Sequence, residues 1–260
     1  MAKQLIGSID IISASWRNLV KNWRLYAELV VWSIFISLLF WTIGIMTRGA
    51  VPDRIIARVI YTVATLPVSL FAAIISVAFI DLTAKTLQDK EAAVRESMMN
   101  GVHKLFSFIW VFILLMVVNA FGMLLLIFPA IIFAVWFAFS TNELVVDGVK
   151  GRAALAASHE LVSGRWWSVM WRLLLPGAFV FLAIRFSLAL AYLLLGSVLG
   201  NPGLFFGPVP DLYALSHLHT LAITLIPQLF FGFGLAMFTT ANLVLWFDLK
   251  KKPLAGPAKQ

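Results

Sequence analysis

The stretch LFSFIWVFILLMVVNAFGMLLLIFPAIIFAVWFAFS, residues 105–140, contains no Asp, Glu, Lys or Arg. A helix that crosses a membrane needs about 20 mostly apolar residues, because each residue rises about 1.5 Å and the hydrocarbon core is about 30 Å thick. The stretch is long enough for nearly two crossings. Phe128-Pro129 divides it, and proline is accommodated at the start of a helix. The expected pair of spans, Leu105 to Ile127 and Pro129 to Val146, folds back as a tight antiparallel hairpin.

Working outward, apolar runs of similar length cover Leu25 to Met46, Ile56 to Ile80, Val169 to Gly196 and Thr220 to Phe247. Gly200 to Pro210 is the one long turn-rich loop. The chain has 260 residues, of which 62% are hydrophobic and 12% charged, against about 25% charged in soluble domains. A soluble fold is excluded. The expected fold class is all-α: a polytopic integral membrane protein with six transmembrane helices, forming a single membrane domain over residues 1–260. Six spans of roughly 20 residues leave no room for a soluble catalytic domain.

The chain has no cysteine. That removes disulfide frameworks, thiolate nucleophiles, Cys-x-x-Cys redox or zinc motifs and a lipidated N-terminal cysteine. A net charge of +8 would suit nucleic acid, but basic residues flanking spans on the cytoplasmic side give the same balance. Sixteen of the 20 Lys and Arg residues fall on one side of the six spans, Arg48, Arg54 and Arg58 on the other, and Arg185 inside the fifth span. The positive-inside rule then places both termini in the cytoplasm of a bacterium, with the chain in its inner membrane. A charged, amphipathic stretch precedes Leu25 and the run that follows is too long for a signal-peptide core, so the N-terminus is expected to stay attached.

The segments before the first, third and fifth spans share a spacing. Ile12, Trp16, Leu19 and Trp23 correspond to Val94, Met98, Gly101 and Leu105, and to Leu155, His159, Val162 and Trp166, with Ser15, Ser97 and Ser158 at one common position. Apolar residues at i, i+4 and i+7 form one stripe, as on an amphipathic helix lying along a membrane surface. Three cytoplasmic interfacial helices are expected, each followed by two spans in units 8–83, 90–146 and 151–248. Two readings stay open: a threefold internal repeat, or a chance likeness of interfacial helices.

The run Phe128-Pro-Ala-Ile-Ile132, followed by Glu143 to Val169 with Ala154, Leu155, Ser158, Leu161, Gly164, Arg165 and Trp166, resembles the six-span bacterial membrane proteins, YciC-like ones included, grouped with the membrane domain of glycerophosphoryl diester phosphodiesterases. The C-terminal Leu245-Trp-Phe-Asp-Leu-Lys250 is similar to the end of that domain. Ala130 stands where that family usually has Gly, and His159 where an aromatic residue is common. The resemblance implies a membrane domain with no inherited catalytic residues, since the phosphodiesterase chemistry belongs to a separate soluble domain.

Arg185 is the most informative single residue, because a cation within a span is costly and faces a bundle interior, a cavity or a snorkelling path. Counting 1.5 Å per residue, it lies about 16 Å from the outer end of its span, with Asn119 and Gln228 at about 13 and 12 Å. These three form a candidate ligand-binding polar layer for an anion such as a lipid phosphate. The alternative is structural: Arg185 snorkels, and the two amides join helices. The acids Asp81, Glu143, Asp147 and Asp248 end spans on the basic side, where they are expected to pair with Arg165, Lys104 or Arg24 in a girdle. Trp16, Arg17, Trp23, Arg24, Arg165, Trp166, Trp167 and Arg172 are the membrane-interface candidates, since indoles settle at headgroups and cations favour anionic lipid. His217 and His219, two apart beside Asp211, do not share a helical face and make a poor metal pair.

The expected activity is that of a non-enzymatic, envelope- or lipid-associated membrane protein with no cofactor and no metal. Its partners are membrane lipids, anionic ones among them, and not nucleic acid. A transporter of a lipid or small anionic solute through the Arg185 layer is the alternative.

Overall fold

A computed structural model describes residues 5–50, 53–124, 127–198 and 217–252. The expected loop at Gly200 to Pro210 and the side chains of Asp211, His217 and His219 lie outside the described residues. Among the described residues every regular element is helical: α1 (Ser8–Lys21), α2 (Trp23–Ala50), α3 (Arg54–Leu87), α4 (Val94–Leu124), α5 (Ile127–Trp136), α6 (Ser140–Val145), α7 (Arg152–Val162), α8 (Trp166–Val198) and α9 (His217–Lys251). Six stretches within them are long and apolar enough to cross a membrane: Trp23–Thr47, Ile55–Leu87, Val94–Leu124, Phe128–Val145, Trp166–Val198 and Leu225–Lys251. The all-α, multi-pass class read from the apolar runs is the class observed.

Pro67, Pro176 and Pro227 lie inside α3, α8 and α9. Proline removes a backbone donor, a loss that long spans tolerate because neighbouring helices and hydroxyls re-satisfy the freed groups. α3 opens on Asp53, whose Oδ1 accepts from the amides of Ile55 (2.8 Å) and Ile56 (3.0 Å), capping orphan donors of the first turn.

The chain divides into two compact units. The first comprises residues 1–25, 73–178 and 236–260. Its α4–α5 hairpin is as tight as the run at Pro129 requires. A Cβ built on Gly122 would sit 2.8 Å from the Cα of Ala130, so only glycine permits that approach. The core of this unit gathers Ile11, Phe139, Val162, Val169, Leu243, Leu245, Trp246 and Leu249, all buried.

The fourth span departs from the expected single helix. It breaks after Trp136 and resumes at Ser140, although no glycine or proline stands between them. Ala138 and Ser140 donate three residues back, to Val135 and Phe137, instead of four. That tightening frees the Trp136 carbonyl and the Phe139 amide. Both are taken up by one hydroxyl: Ser158 Oγ donates to Trp136 O at 2.8 Å and accepts from Phe139 N at 3.1 Å. A buried break in a helix persists only where such partners exist.

The three segments equated by spacing do not all end alike. α1 breaks from α2 at Asn22, whose Nδ2 donates to Asn18 O and Asn18 Oδ1. α7 breaks from α8 at Gly164, with φ of +77°, a conformation glycine adopts without a Cβ clash. The middle segment runs straight on into α4. Gly101 there packs so closely on α3 that a Cβ would lie 2.6 Å from the Ile74 carbonyl oxygen. Ser15, Ser97 and Ser158 are nonetheless all fully buried.

The second unit comprises residues 26–72 and 179–235. Gly232 faces Val30, whose two methyls would lie 2.8 Å from an added Cβ, and Gly234 faces Ile184 more closely still. Trp32 meets Phe71 edge-on, with ring centroids 5.7 Å apart. Hydroxyls in this unit turn back on their own helices, as Ser37 Oγ does on Ser33 O and Ser69 Oγ on Thr65 O. The Phe181, Leu182, Phe186, Leu190 and Leu194 side chains of α8 are exposed, as a helix surrounded by hydrocarbon requires.

Candidate functional site

The acids at the basic end are all in the first unit, and each is paired there. Asp81 accepts from Ser97 Oγ (2.8 Å), Asn100 Nδ2 (2.5 Å) and Lys85 Nζ (3.0 Å). Glu143, nearly inaccessible, accepts from the Trp246 indole at 2.7 Å and from Lys250 at 3.1 Å. Lys250 also reaches Asp147 and lies 4.4 Å from the centre of the Trp246 ring, a cation held by two carboxylates and an aromatic face. Beside them Asn142 Nδ2 donates to Asn242 Oδ1 at 2.6 Å. Asp248 accepts from Lys252 (2.7 Å) and from the Ile6 amide (2.9 Å).

The cations expected to neutralise these acids do something else. The Arg165 guanidinium donates to the carbonyls of Leu161 (2.9 Å), Leu249 (3.2 Å) and Lys252 (2.6 Å). Lys104 donates to the Val145 carbonyl at 2.5 Å. Arg165 thereby caps α9, and Lys104 caps α6, where the last carbonyls of a helix lack intrahelical partners and the dipole favours positive charge. Burial holds the Arg165 guanidinium below its ordinary pKa, and nearby Asp248 offsets part of that effect. Arg172 donates to the Ile6 (2.7 Å) and Ser168 (2.9 Å) carbonyls. Arg24 sits over Trp23 at 5.7 Å. The first strand of chain and the end of α9 are therefore fastened together through Ile6, Asp248 and Arg172.

Around this end the indoles of Trp16, Trp23, Trp167 and Trp171 are exposed, while Trp166 is half-buried. On α1 the exposed Ile9, Trp16 and Val20 recur at helical spacing opposite the buried Ile11, Ser15, Asn18 and Leu19, with Arg17 and Lys21 exposed beside them. Trp166 Nε1 donates to the Ile132 carbonyl at 3.3 Å. A groove of about 430 Å³ runs between α5 and the α7–α8 turn, walled by Phe128, Ile131, Ile132, Trp136, Trp166 and Trp167.

Asn119 belongs to the first unit and Arg185 and Gln228 to the second. Asn119 Nδ2 donates to the Leu115 carbonyl of its own helix at 2.9 Å. Arg185 is exposed on α8 between exposed Leu182 and Phe186, and Gln228 is half-buried. Among the described residues Arg185 has no carboxylate partner.

Spacing was the unread signal for two of these pairs, since Asp81 and Lys85, and Asp248 and Lys252, stand four apart. Trp246 and Lys250 share that spacing. The Glu143–Trp246 bond, the Ser158 bridge and the groove had no local signal. Comparison with protein families, with curated proteins and with solved structures finds no match for this chain.

Proposed function

We propose that this chain is a non-enzymatic protein of a bacterial inner membrane, related to the YciC-like group, with cytoplasmic termini and a lipid-associated role at the inner leaflet. The observation that carries the reading is the outward face of the first unit. There the indoles of Trp16, Trp23 and Trp167 are exposed, and Arg17 and Arg24, which follow Trp16 and Trp23 in the chain, form no ion pair among the described residues. Indoles favour the headgroup region, and each cation near an anionic surface contributes about 1 kcal/mol. α1 and α7 are then the interfacial helices, buried along one stripe against the protein and turned to headgroups along the other.

The test is reconstitution into vesicles of equal parts phosphatidylcholine and phosphatidylglycerol, followed by mild extraction and mass analysis of co-purified lipid. The parent is expected to enrich phosphatidylglycerol. Replacing Trp16, Arg17, Trp23 and Arg24 together by Ala should abolish the enrichment, and equal enrichment in both proteins would refute the reading. A reporter fused after Gln260 that proved periplasmic would overturn the orientation.

The second reading is transport of a lipid or small anion past Arg185. It draws on the absence of a carboxylate partner for Arg185 among the described residues, which leaves an anion as its natural counter-charge. Single cysteines at Ser37, Thr65, Asn119 and Gln228 would all resist a water-soluble thiol reagent if no aqueous path exists.

A further inference from the structure

We propose that the groove between α5 and the α7–α8 turn seats one acyl chain of a phospholipid drawn from the surrounding bilayer. The lipid's glycerophosphate oxygens would meet the edge formed by Ser163, Gly164 and Trp167. The inference deepens the lipid-associated reading and rests on it for the medium around the chain.

Four features of the groove carry it. Its volume of about 430 Å³ falls within the roughly 300–1,000 Å³ of small-molecule sites. Its walls are aliphatic and aromatic and contribute no charged side chain, so a polar occupant would be stranded there. α5 and the start of α8 lie in stretches apolar enough to cross a membrane, Phe128–Val145 and Trp166–Val198. The medium at the mouth is therefore hydrocarbon, whose molecules are acyl chains.

The fourth feature is the edge, which offers donors. Ser163 Oγ and Trp167 Nε1 have no hydrogen-bond partner among the described residues, and both side chains are exposed. The first intrahelical bond of α8 runs from Val169 N to Arg165 O, which leaves the amides of Trp166, Trp167 and Ser168 ahead of it. The positive end of the α8 dipole lies in the same turn. Donors and positive charge beside an apolar trough match a phosphate and ester head joined to a chain. Gly164, with its positive φ, makes the turn between α7 and α8 and lines this edge.

The full chain is reconstituted in the same phosphatidylcholine and phosphatidylglycerol vesicles, extracted mildly and examined by native mass spectrometry. Compared with it are Ile131→Trp, which fills the trough, Trp167→Ala, which removes a wall and a donor, and Phe106→Ala, at an exposed position of α4 that does not line the groove. The parent is expected to retain one phospholipid per chain. Ile131→Trp and Trp167→Ala should each lower that occupancy about tenfold, a loss equal to one or two buried methylenes, and Phe106→Ala should leave it unchanged. If Ile131→Trp fails to fold, Trp167→Ala, an exposed position, decides the matter.

Equal occupancy in all four proteins, no retained lipid in the parent, or a retained species with the mass of a free fatty acid would overturn the proposal. A groove-dependent lipid without preference for phosphatidylglycerol would uphold the groove and defeat the anionic-interface reading. Phosphatidylglycerol enrichment that ignores the groove variants would do the reverse.

Discussion

The side-chain bonds described within the two units of this chain differ in their longest reach. In the first, buried polar groups reach far along the sequence: Ser158 to the break at Trp136 and Phe139, Glu143 to Trp246, Asn142 to Asn242, Asp248 to Ile6. In the second, Ser33, Ser37, Thr65 and Ser69 bond only to carbonyls a turn away, and close approach is left to Gly232 and Gly234. A local back-bond forms in any helix and selects no neighbour, whereas a long-range pair exists in one arrangement only. The long-range pairs tie particular positions of the first unit together by chemistry, while Gly232 and Gly234 fix theirs in the second by packing. The exposed indoles and the groove both belong to the first unit, which holds these long-range pairs.

Breaking the first unit at its largest buried side chain should cost most. Trp246→Ala removes a fully buried indole and a donor to Glu143, and should lower stability by about 3–5 kcal/mol in reversible unfolding in mixed micelles. Trp246→Phe, which keeps most of the volume, should cost about 1–2 kcal/mol and so isolates the hydrogen bond. Ser158→Ala should cost about 2 kcal/mol by the same measurement, since it strands a buried amide and a buried carbonyl. Ser69→Ala, its counterpart in the second unit, should change stability by less than about 0.5 kcal/mol. Equal costs at the two serines would erase the distinction between the units.

Packing in the second unit is probed by Gly232→Ala. The added methyl meets both Val30 methyls at 2.8 Å, and the expected cost is about 1–3 kcal/mol. The smallest effect belongs to the exposed Lys21–Asp89 pair. Lys21 holds the Asp89 carboxyl below its ordinary pKa, so the pair's small contribution is present at neutral pH and is lost as pH falls through the lowered value. Asp89→Asn should therefore melt slightly below the parent at pH 7 and level with it once the parent's Asp89 is protonated.

Much of the fold was legible because apolar runs are the dominant signal for a span, and each of the six runs overlaps one of the six candidate spans. The ends were less so. The second run stops at Ile80, yet α3 continues to Leu87, because Asp81 and Lys85 pair across one turn and Asp81 takes Ser97 and Asn100 as donors. Polarity ended the run without ending the helix. The break between Trp136 and Ser140 was invisible for the opposite reason. The residues there are ordinary helix members, and what stabilises the break is a hydroxyl on another helix. Of the basic end, the acids were legible as a set, but their partners were not. Arg165 and Lys104 cap helix ends, while Lys85, Lys250 and Lys252 take the carboxylates. Charge alone does not tell a carboxylate partner from a carbonyl cap.

The most direct test of long-range specification is hydrogen exchange at the Phe139 amide, in the parent and in Ser158→Ala. The account predicts slow exchange in the parent, although the residue sits in a helix break, and exchange accelerated at residues 137–140 when the hydroxyl is removed. Ser69→Ala should leave the exchange of its own helix unchanged. Fast exchange at Phe139 in the parent, or no acceleration in Ser158→Ala, would contradict it.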